Sequence, residues 1–359
     1  MNDSSAKMLT LLPGKSSPKR VLVRTAAGPE IGFGHLRRTL ILARKLRRSA
    51  RPCFLLDRED GWSQDQVSSD GFEYRCFNSR KPWNGLETAD VLLVDTRQRA
   101  GLNRLVAEAR MRGIPVASIH DLGLAPLASD VVIDGSMLPS VARFPRVDTT
   151  FFTGTDYLVL GDACSRFHRT NKTIRPRIGK VVINLGGGNG CRFFRRILSG
   201  LRAAQLPLEV VGLPGFCSCG QEKLADVSWD PLRFRWLSPE EDAVKLMFDA
   251  DLVISAGGLS AYESLCVGTP LSALSFDRYQ AATIEGIAHA GACLNLGLGA
   301  QLRSDKVRRR FIELNENPEL RRRLSKCGRR LVDGGGRLRV VRILLSLIER
   351  KFLGKANGC

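Results

Sequence analysis

Aromatic residues are few, at 7% of the 359 residues. No nucleic-acid-binding motif stands beside them, so a nucleic-acid partner is not expected. No apolar stretch reaches the roughly 20 residues that a membrane span needs. Residues 1–19 hold only a short apolar patch at 8–12, too little for a secretory h-region, and read as a loose tail on a cytoplasmic protein. The 10 cysteines lack any repeated spacing. Cys217 and Cys219 form the one close pair, with no second pair or nearby His to complete a zinc site, so reduced thiols packed as small hydrophobes are expected, with no metal and no cofactor. Acidic residues are also scarce, 36 against 55 Lys and Arg, for a formal charge of +19. Such a surplus attracts nucleic acid, an anionic membrane or an anionic nucleotide, and a solvated basic face is the plainer account. A hydrophobic fraction of 43% is ordinary for a globular chain, and the length suits about two domains.

The stretch 255–265, SAGGLSAYESL, organises the rest. The apolar run before it reads as a buried parallel strand, and Gly257 and Gly258 force a tight turn into a helix from Ser260. Free backbone N–H groups at a helix start favour an anion, and two glycines remove the Cβ atoms that would keep it away. Leu259 and Ser260 would add their amides, and Glu263, one turn into the helix, could accept hydrogen bonds from a ribose diol. An ordinary strand-to-helix turn fits the same pattern.

Earlier in the chain, residues 20–24 (RVLVR) form a first strand, and a loop ends in Gly32, Phe33, Gly34 and His35. A helix over about 35–48 follows, with Leu36, Leu40, Ala43 and Leu46 near the helical period. His35 therefore stands at the carboxyl edge of a sheet, where open α/β folds bind ligands. A neutral imidazole there can act as a general base, and it can equally pack in the turn. Strands are expected at 53–56, 91–95, 115–119 and 131–134, and a helix at 102–112. Asp95 and Asp121 then come at strand ends, as catalytic partners or as caps. The acidic cluster 57–60 is expected to be solvated.

Residues 151–177 lose the pattern and read as a passage to a second domain. Residues 180–185 (KVVINL) resume it, and Gly186, Gly187, Gly188 and Gly190 follow at once. A glycine run between strand and helix suits close approach by a phosphate, but it lacks the Lys-Ser/Thr of a P-loop and the spacing of a dinucleotide site. Strands at 208–212, 232–237, 252–255, 270–276 and 292–296 alternate with helices at 192–204, 239–249, 260–267, 280–290, 304–315 and 318–332. This is a second doubly wound unit. Residues 333–336 read as a flexible stop before an amphipathic helix at 337–352, which either crosses back to the first domain or lies on a membrane.

Two Rossmann-like halves with a G-x-G-H loop and an A-G-G-x-S-x-x-E turn resemble the GT-B architecture. That resemblance implies two doubly wound α/β domains facing each other across a cleft: 20–165 with the catalytic base, 178–336 with the nucleotide, and 337–359 as the last helix. The segment 255–291, with Glu263, Gly268-Thr269-Pro270 and Asp277 to Gln280, is similar to the UDP-binding half of the N-acetylglucosaminyltransferase family of peptidoglycan synthesis. There the residues matching Glu263 and Gln280 lie in the nucleotide site. The first half, with Gly32, Gly34, His35, Arg38, Asp95, Asp121 and Asp134, is similar to the UDP-sugar hydrolases of pseudaminic acid biosynthesis. Resemblance makes His35 the general base for attack at the anomeric carbon; Asp95, from its place at a strand end, is the expected catalytic partner. Those hydrolases carry an acidic residue where this chain has Ala26, His-Tyr where it has Thr96-Arg97, and Asn where it has Tyr279. All three changes fall where the sugar would lie.

The expected activity is cleavage of a UDP-sugar by water, with glycosyl transfer to a hydroxyl and non-catalytic UDP-sugar binding as alternatives. Expected substrate contacts are Gly32, Gly34, Arg38, Gly187, Gly188, Gly257, Gly258, Leu259, Ser260, Glu263, Tyr279 and Gln280. A transferase would use Arg37, Arg44, Lys45 and Arg48 to approach anionic lipid at the periphery of the inner membrane.

Overall fold

The computed structural model describes residues 19–356, apart from 29–31, 82, 84, 121–125, 139–147, 187–190, 214–223, 225–226 and 239. Two parallel sheets form its frame. The first has seven strands: β1 (Arg20–Thr25), β2 (Arg51–Asp57), β3 (Glu73–Phe77), β4 (Val91–Asp95), β5 (Val116–Ile119), β6 (Val131–Asp134) and β7 (Thr150–Thr153), in the order β3-β2-β1-β4-β5-β6-β7. The second has six: β8 (Lys180–Asn184), β9 (Glu209–Gly212), β10 (Arg233–Trp236), β11 (Leu252–Ala256), β12 (Leu271–Ser275) and β13 (Cys293–Leu298), in the order β10-β9-β8-β11-β12-β13.

The central strands are continuous apolar runs because helices cover both faces, as in β4 and β11, where every residue is buried. Each sheet reverses its winding direction beside its first strand, between β1 and β4 and between β8 and β11. Those reversals open crevices at the carboxyl ends of the strands. The helices are α1 (Gly34–Leu46), α2 (Gly61–Ser69), α3 (Leu102–Met111), α4 (Asp162–His168), α5 (Cys191–Arg202), α6 (Ala243–Asp249), α7 (Leu259–Val267), α8 (Arg278–His289), α9 (Ser304–Glu316), α10 (Pro318–Leu331) and α11 (Gly336–Ala356). Among the described residues no helix is long and apolar enough to cross a membrane.

The chain passes between the halves twice. It leaves the first sheet through α4, and it returns through a turn at Asp333 to Gly335 into α11, where Val340, Val341, Leu344, Leu347 and Ile348 join the core formed with Leu36, Leu40 and Ala43 of α1. The apolar face of α11 is thus buried in protein. The turn before it is tied down: Asp333 Oδ1 accepts from Gly335 N–H at 2.7 Å, and the Ser165 hydroxyl of α4 donates to the Gly334 carbonyl at 2.6 Å. Gly334 has φ +72°, a conformation that costs glycine little, so this segment is an ordered junction and not a flexible stop.

Other departures from expectation have local causes. Strands β3 and β7 lie at the sheet edge, where β3 buries only Phe77 and β7 buries no residue fully, so neither carries an alternating signal. The helix expected from residue 239 begins at Ala243, because Asp242 Oδ1 accepts from Val244 and Lys245 N–H at 2.9 and 3.2 Å and caps it there. Within the acidic cluster 57–60, Asp57 holds both carboxylate oxygens 2.9 Å from Nη2 of the buried Arg24, and Asp60 caps α2 by accepting from Ser63 N–H at 3.0 Å. These two carboxylates are structural; solvation describes only Arg58 and Glu59.

Candidate active site

The two winding reversals bring α1 and α7 against each other. Gly34 opens α1, and a Cβ placed on it would lie 3.8 Å from Leu259 Cδ1 at the start of α7. Neither helix start is capped by a side chain, so the backbone dipole at both remains available to a ligand in the crevice.

On the first-sheet side, α1 places His35 and Arg38 one turn apart, and β4 ends in Asp95 beneath them. His35 Nδ1 lies 2.7 Å from Asp95 Oδ1; Arg38 donates from Nη2 to Oδ1 and from Nε to Oδ2, each at 2.7 Å. All three are buried, Asp95 completely. Burial acts to raise the Asp95 carboxyl, but Arg38 and then His35 overcome it and hold its pKa down at about 2. A carboxylate in that state can only accept, which places a hydrogen on His35 Nδ1; in the neutral ring the lone pair then belongs to Nε2.

On the second-sheet side, β11 runs into Gly257 and Gly258 before α7. A Cβ on Gly257 would meet Ile284 at 3.0 Å and Gln280 Cβ at 3.2 Å, whereas one on Gly258 would meet nothing within 4 Å. Gln280 is therefore a neighbour of the turn, and its Oε1 accepts from Phe276 N–H at 3.0 Å. Glu263 is 2% exposed, and Arg37 of α1 reaches across to it, with Nη2 2.7 Å from Oε1 and Nη1 3.3 Å from Oε2. Burial raises the Glu263 carboxyl, with Arg37 opposing. Between the halves lies a small cavity open to solvent, bordered by Arg38, His120 and Ser136 on one side and Gly257, Gly258 and Leu259 on the other.

No family model matches the chain. It is 31% identical over 229 residues to the spore coat polysaccharide biosynthesis protein SpsG of Bacillus subtilis (strain 168), a stretch covering 62% of this chain and 67% of that protein. The chain belongs to the SpsG family. Among solved structures, this SpsG-family chain is similar to Acinetobacter baumannii MurG, with a TM-score of 0.67 and 17% identity over 92% of this chain and 100% of that one. It is also similar to the UDP-GlcNAc 2-epimerase of Neisseria meningitidis bound to UDP-GlcNAc, with a TM-score of 0.56 and 16% identity over 91% and 100% of the two chains. A third, Anabaena Alr3699/HepE in complex with UDP and glucose, gives a TM-score of 0.59 and 13% identity over 92% and 100%. At these identities the likeness is one of fold, and the fold is GT-B.

In this SpsG-family member Arg38, Gly257, Gly258 and Leu259 border the cavity; His35, Asp95 and Gly34 are not among the residues bordering it, His35 and Asp95 being joined to it through Arg38, and Ser260 lies in the first turn of α7. Gly32, at φ +74°, pairs with Gly28 across the loop before α1. Tyr279 is not among the residues bordering the cavity; it is 46% exposed, and its hydroxyl accepts from Arg278 Nη2 at 3.2 Å. Gly187, Gly188 and Asp121 lie outside the described residues. The basic side chains expected to approach lipid are partly engaged: Arg37 with Glu263, and Arg44 with Asp70 at 2.6 Å. Among the described residues no cluster of His, Cys, Asp and Glu is arranged to hold a metal ion.

Sequence reasoning missed three residues here. Arg37 has no local signal, since its partner lies 226 residues away. The Tyr262 hydroxyl of α7 accepts from Met137 N–H of the opposite half at 2.9 Å, a long-range contact of the same kind. His120 could have been found, because it directly follows the buried strand β5 at the same sheet edge as Asp95.

Proposed function

We propose that this protein is a nucleotide-sugar enzyme that cleaves the anomeric C–O bond of a UDP-sugar with release of UDP, using water as acceptor. The observation that carries the proposal is the His35–Asp95–Arg38 cluster, set on a GT-B frame opposite an uncapped glycine turn. His35 Nε2 takes a proton from water as the water oxygen bonds to the anomeric carbon; the bond to the diphosphate oxygen breaks and its electron pair leaves with UDP. The buried Asp95 carboxylate stabilises the resulting imidazolium, and Arg38 fixes the carboxylate. Amides around Gly257, Gly258, Leu259 and Ser260 face the charge that develops on the diphosphate. Glu263, with Gln280 beside the turn, serves the nucleoside, which requires Arg37 to share the carboxylate.

The substrate we propose is a UDP-diacetamido-trideoxy-hexose of nonulosonic acid biosynthesis, in keeping with the resemblance of the first half; the spore coat polysaccharide role printed for the relative is compatible with such a product. A second reading, inverting glycosyl transfer, is favoured by Trp62, which is 41% exposed and packs at 4.4 Å between ring centroids on Phe33, two residues before His35. An aromatic face of this kind suits a sugar acceptor.

The deciding assay follows UDP and free sugar by NMR over a panel of UDP-sugars with no acceptor added. Release of both from one sugar, reduced at least tenfold in His35→Ala with UDP binding retained, supports hydrolysis with His35 as base; such a base contributes about 10²–10⁴ in rate. Full activity in His35→Ala removes that assignment. Saturable UDP binding without turnover moves the assignment to transfer or to non-catalytic binding.

A further inference from the structure

Arg37 of α1 and Glu263 of α7 face each other across the cleft with unequal freedom. Glu263 is 2% exposed, whereas the Arg37 side chain is 42% exposed. Among the described residues, Arg37 is the one group bonded to this carboxylate, with Nη2 2.7 Å from Oε1 and Nη1 3.3 Å from Oε2. Two donors on one planar group thus reach the two carboxylate oxygens. A vicinal diol makes the same offer, two O–H donors to the two oxygens of a carboxylate. The place that a ribose would take on Glu263 is therefore filled, in this structure, by a side chain of the opposite half.

We propose that Arg37 is a self-inhibitory latch: its guanidinium competes with the ribose diol of a nucleotide for Glu263, and the cleft admits the nucleoside only as Arg37 gives up one or both of its bonds. The assignment rests on the UDP-sugar reading above. The difference in exposure decides which partner moves. Glu263 is held within α7 and covered, so Arg37, already partly in water, is the side that leaves. Part of the interaction with the nucleotide then goes into opening the latch: a protein latched about nine-tenths of the time binds about tenfold more weakly than its open form. The same pair fastens α1 to α7, so the ligand that takes the carboxylate also frees the two lips of the cleft.

The test is calorimetric titration of the whole protein with UDP and with 2′,3′-dideoxyuridine 5′-diphosphate, in wild type, Arg37→Ala and Arg37→Gln. The dideoxy nucleotide keeps base and diphosphate and lacks the diol, so any general loosening of the cleft cancels in the ratio of the two affinities. Removal of the competitor predicts that the preference for UDP over the dideoxy nucleotide rises about fivefold or more in Arg37→Ala. Arg37→Gln, which keeps most of the side chain without its charge, should move the ratio in the same direction. In the wild type, ¹⁵N NMR of the Arg37 guanidinium should show a larger change with UDP than with the dideoxy nucleotide, a readout that does not depend on any variant folding. A ratio that stays at the wild-type value or falls in a folded variant overturns the proposal, as does a guanidinium signal that moves alike with both nucleotides. A wild type that binds neither nucleotide overturns the UDP reading itself, and the latch with it.

Discussion

At the scale of single residues, the site depends on a buried carboxylate with two kinds of partner. Asp95 has a pKa of about 2 in the fold against 3.8 for the free side chain. A folded-state pKa below the unfolded one means that the stabilisation is present above about pH 4 and is lost as pH falls toward 2. The loss should be about 2 kcal/mol, visible in urea unfolding followed from pH 5 to pH 2. Asp95→Asn removes the charge and leaves the buried Arg38 without its counter-ion, so it should cost about 3–5 kcal/mol at neutral pH and flatten that acid limb. If Asp95→Asn unfolds with the wild-type pH profile, another carboxylate governs the acid transition. His35 and Asp95 were legible in sequence because each ends or follows an apolar strand, where side chains reach the crevice. Arg38, inside α1, was legible only through the resemblance of the first half. Arg37 was legible only as a surface base, since nothing near it in the chain announces Glu263.

At the scale of elements, the turn between β11 and α7 admits two neighbouring substitutions with different outcomes. A methyl on Gly257 presses on Ile284 and Gln280 at 3.0 and 3.2 Å, whereas a methyl on Gly258 meets open space. Gly257→Ala should therefore lower stability by about 1 kcal/mol or more. Gly258→Ala should unfold at the wild-type denaturant midpoint and weaken UDP binding alone, since its methyl would stand where the phosphate approaches. Equal UDP affinity in Gly258→Ala would place the phosphate elsewhere. The buried strands were readable because a strand covered on both faces is an unbroken apolar run. Edge strands β3 and β7 were not, for the converse reason: solvent on their faces removes the selection for alternating apolar residues.

At the scale of the whole molecule, the halves meet through Arg37 and Glu263, through Tyr262 and Met137, and through Gly286, where an added Cβ would lie 3.2 Å from Met137 and Leu138. Arg37→Ala leaves the Glu263 carboxyl buried and unpaired, which should cost about 1–3 kcal/mol and make the cleft easier to open, seen as faster limited proteolysis without UDP. A cleavage rate equal to wild type would show that the other two contacts suffice.

The double passage of the chain has a mechanical consequence. The outgoing connection through α4 and the returning one into α11 are bonded to each other, by Ser165 to Gly334, Arg337 to Asp162 and Arg339 to the Asp156 carbonyl. Two rigid bodies on a single tether can twist, tilt and swing independently. Two tethers fastened side by side define an axis and leave chiefly one degree of freedom, the opening of a jaw. Spin-label pairs on opposite lips of the cleft should then change distance in a fixed ratio whatever ligand closes it, so that one pair reports the motion of the whole molecule.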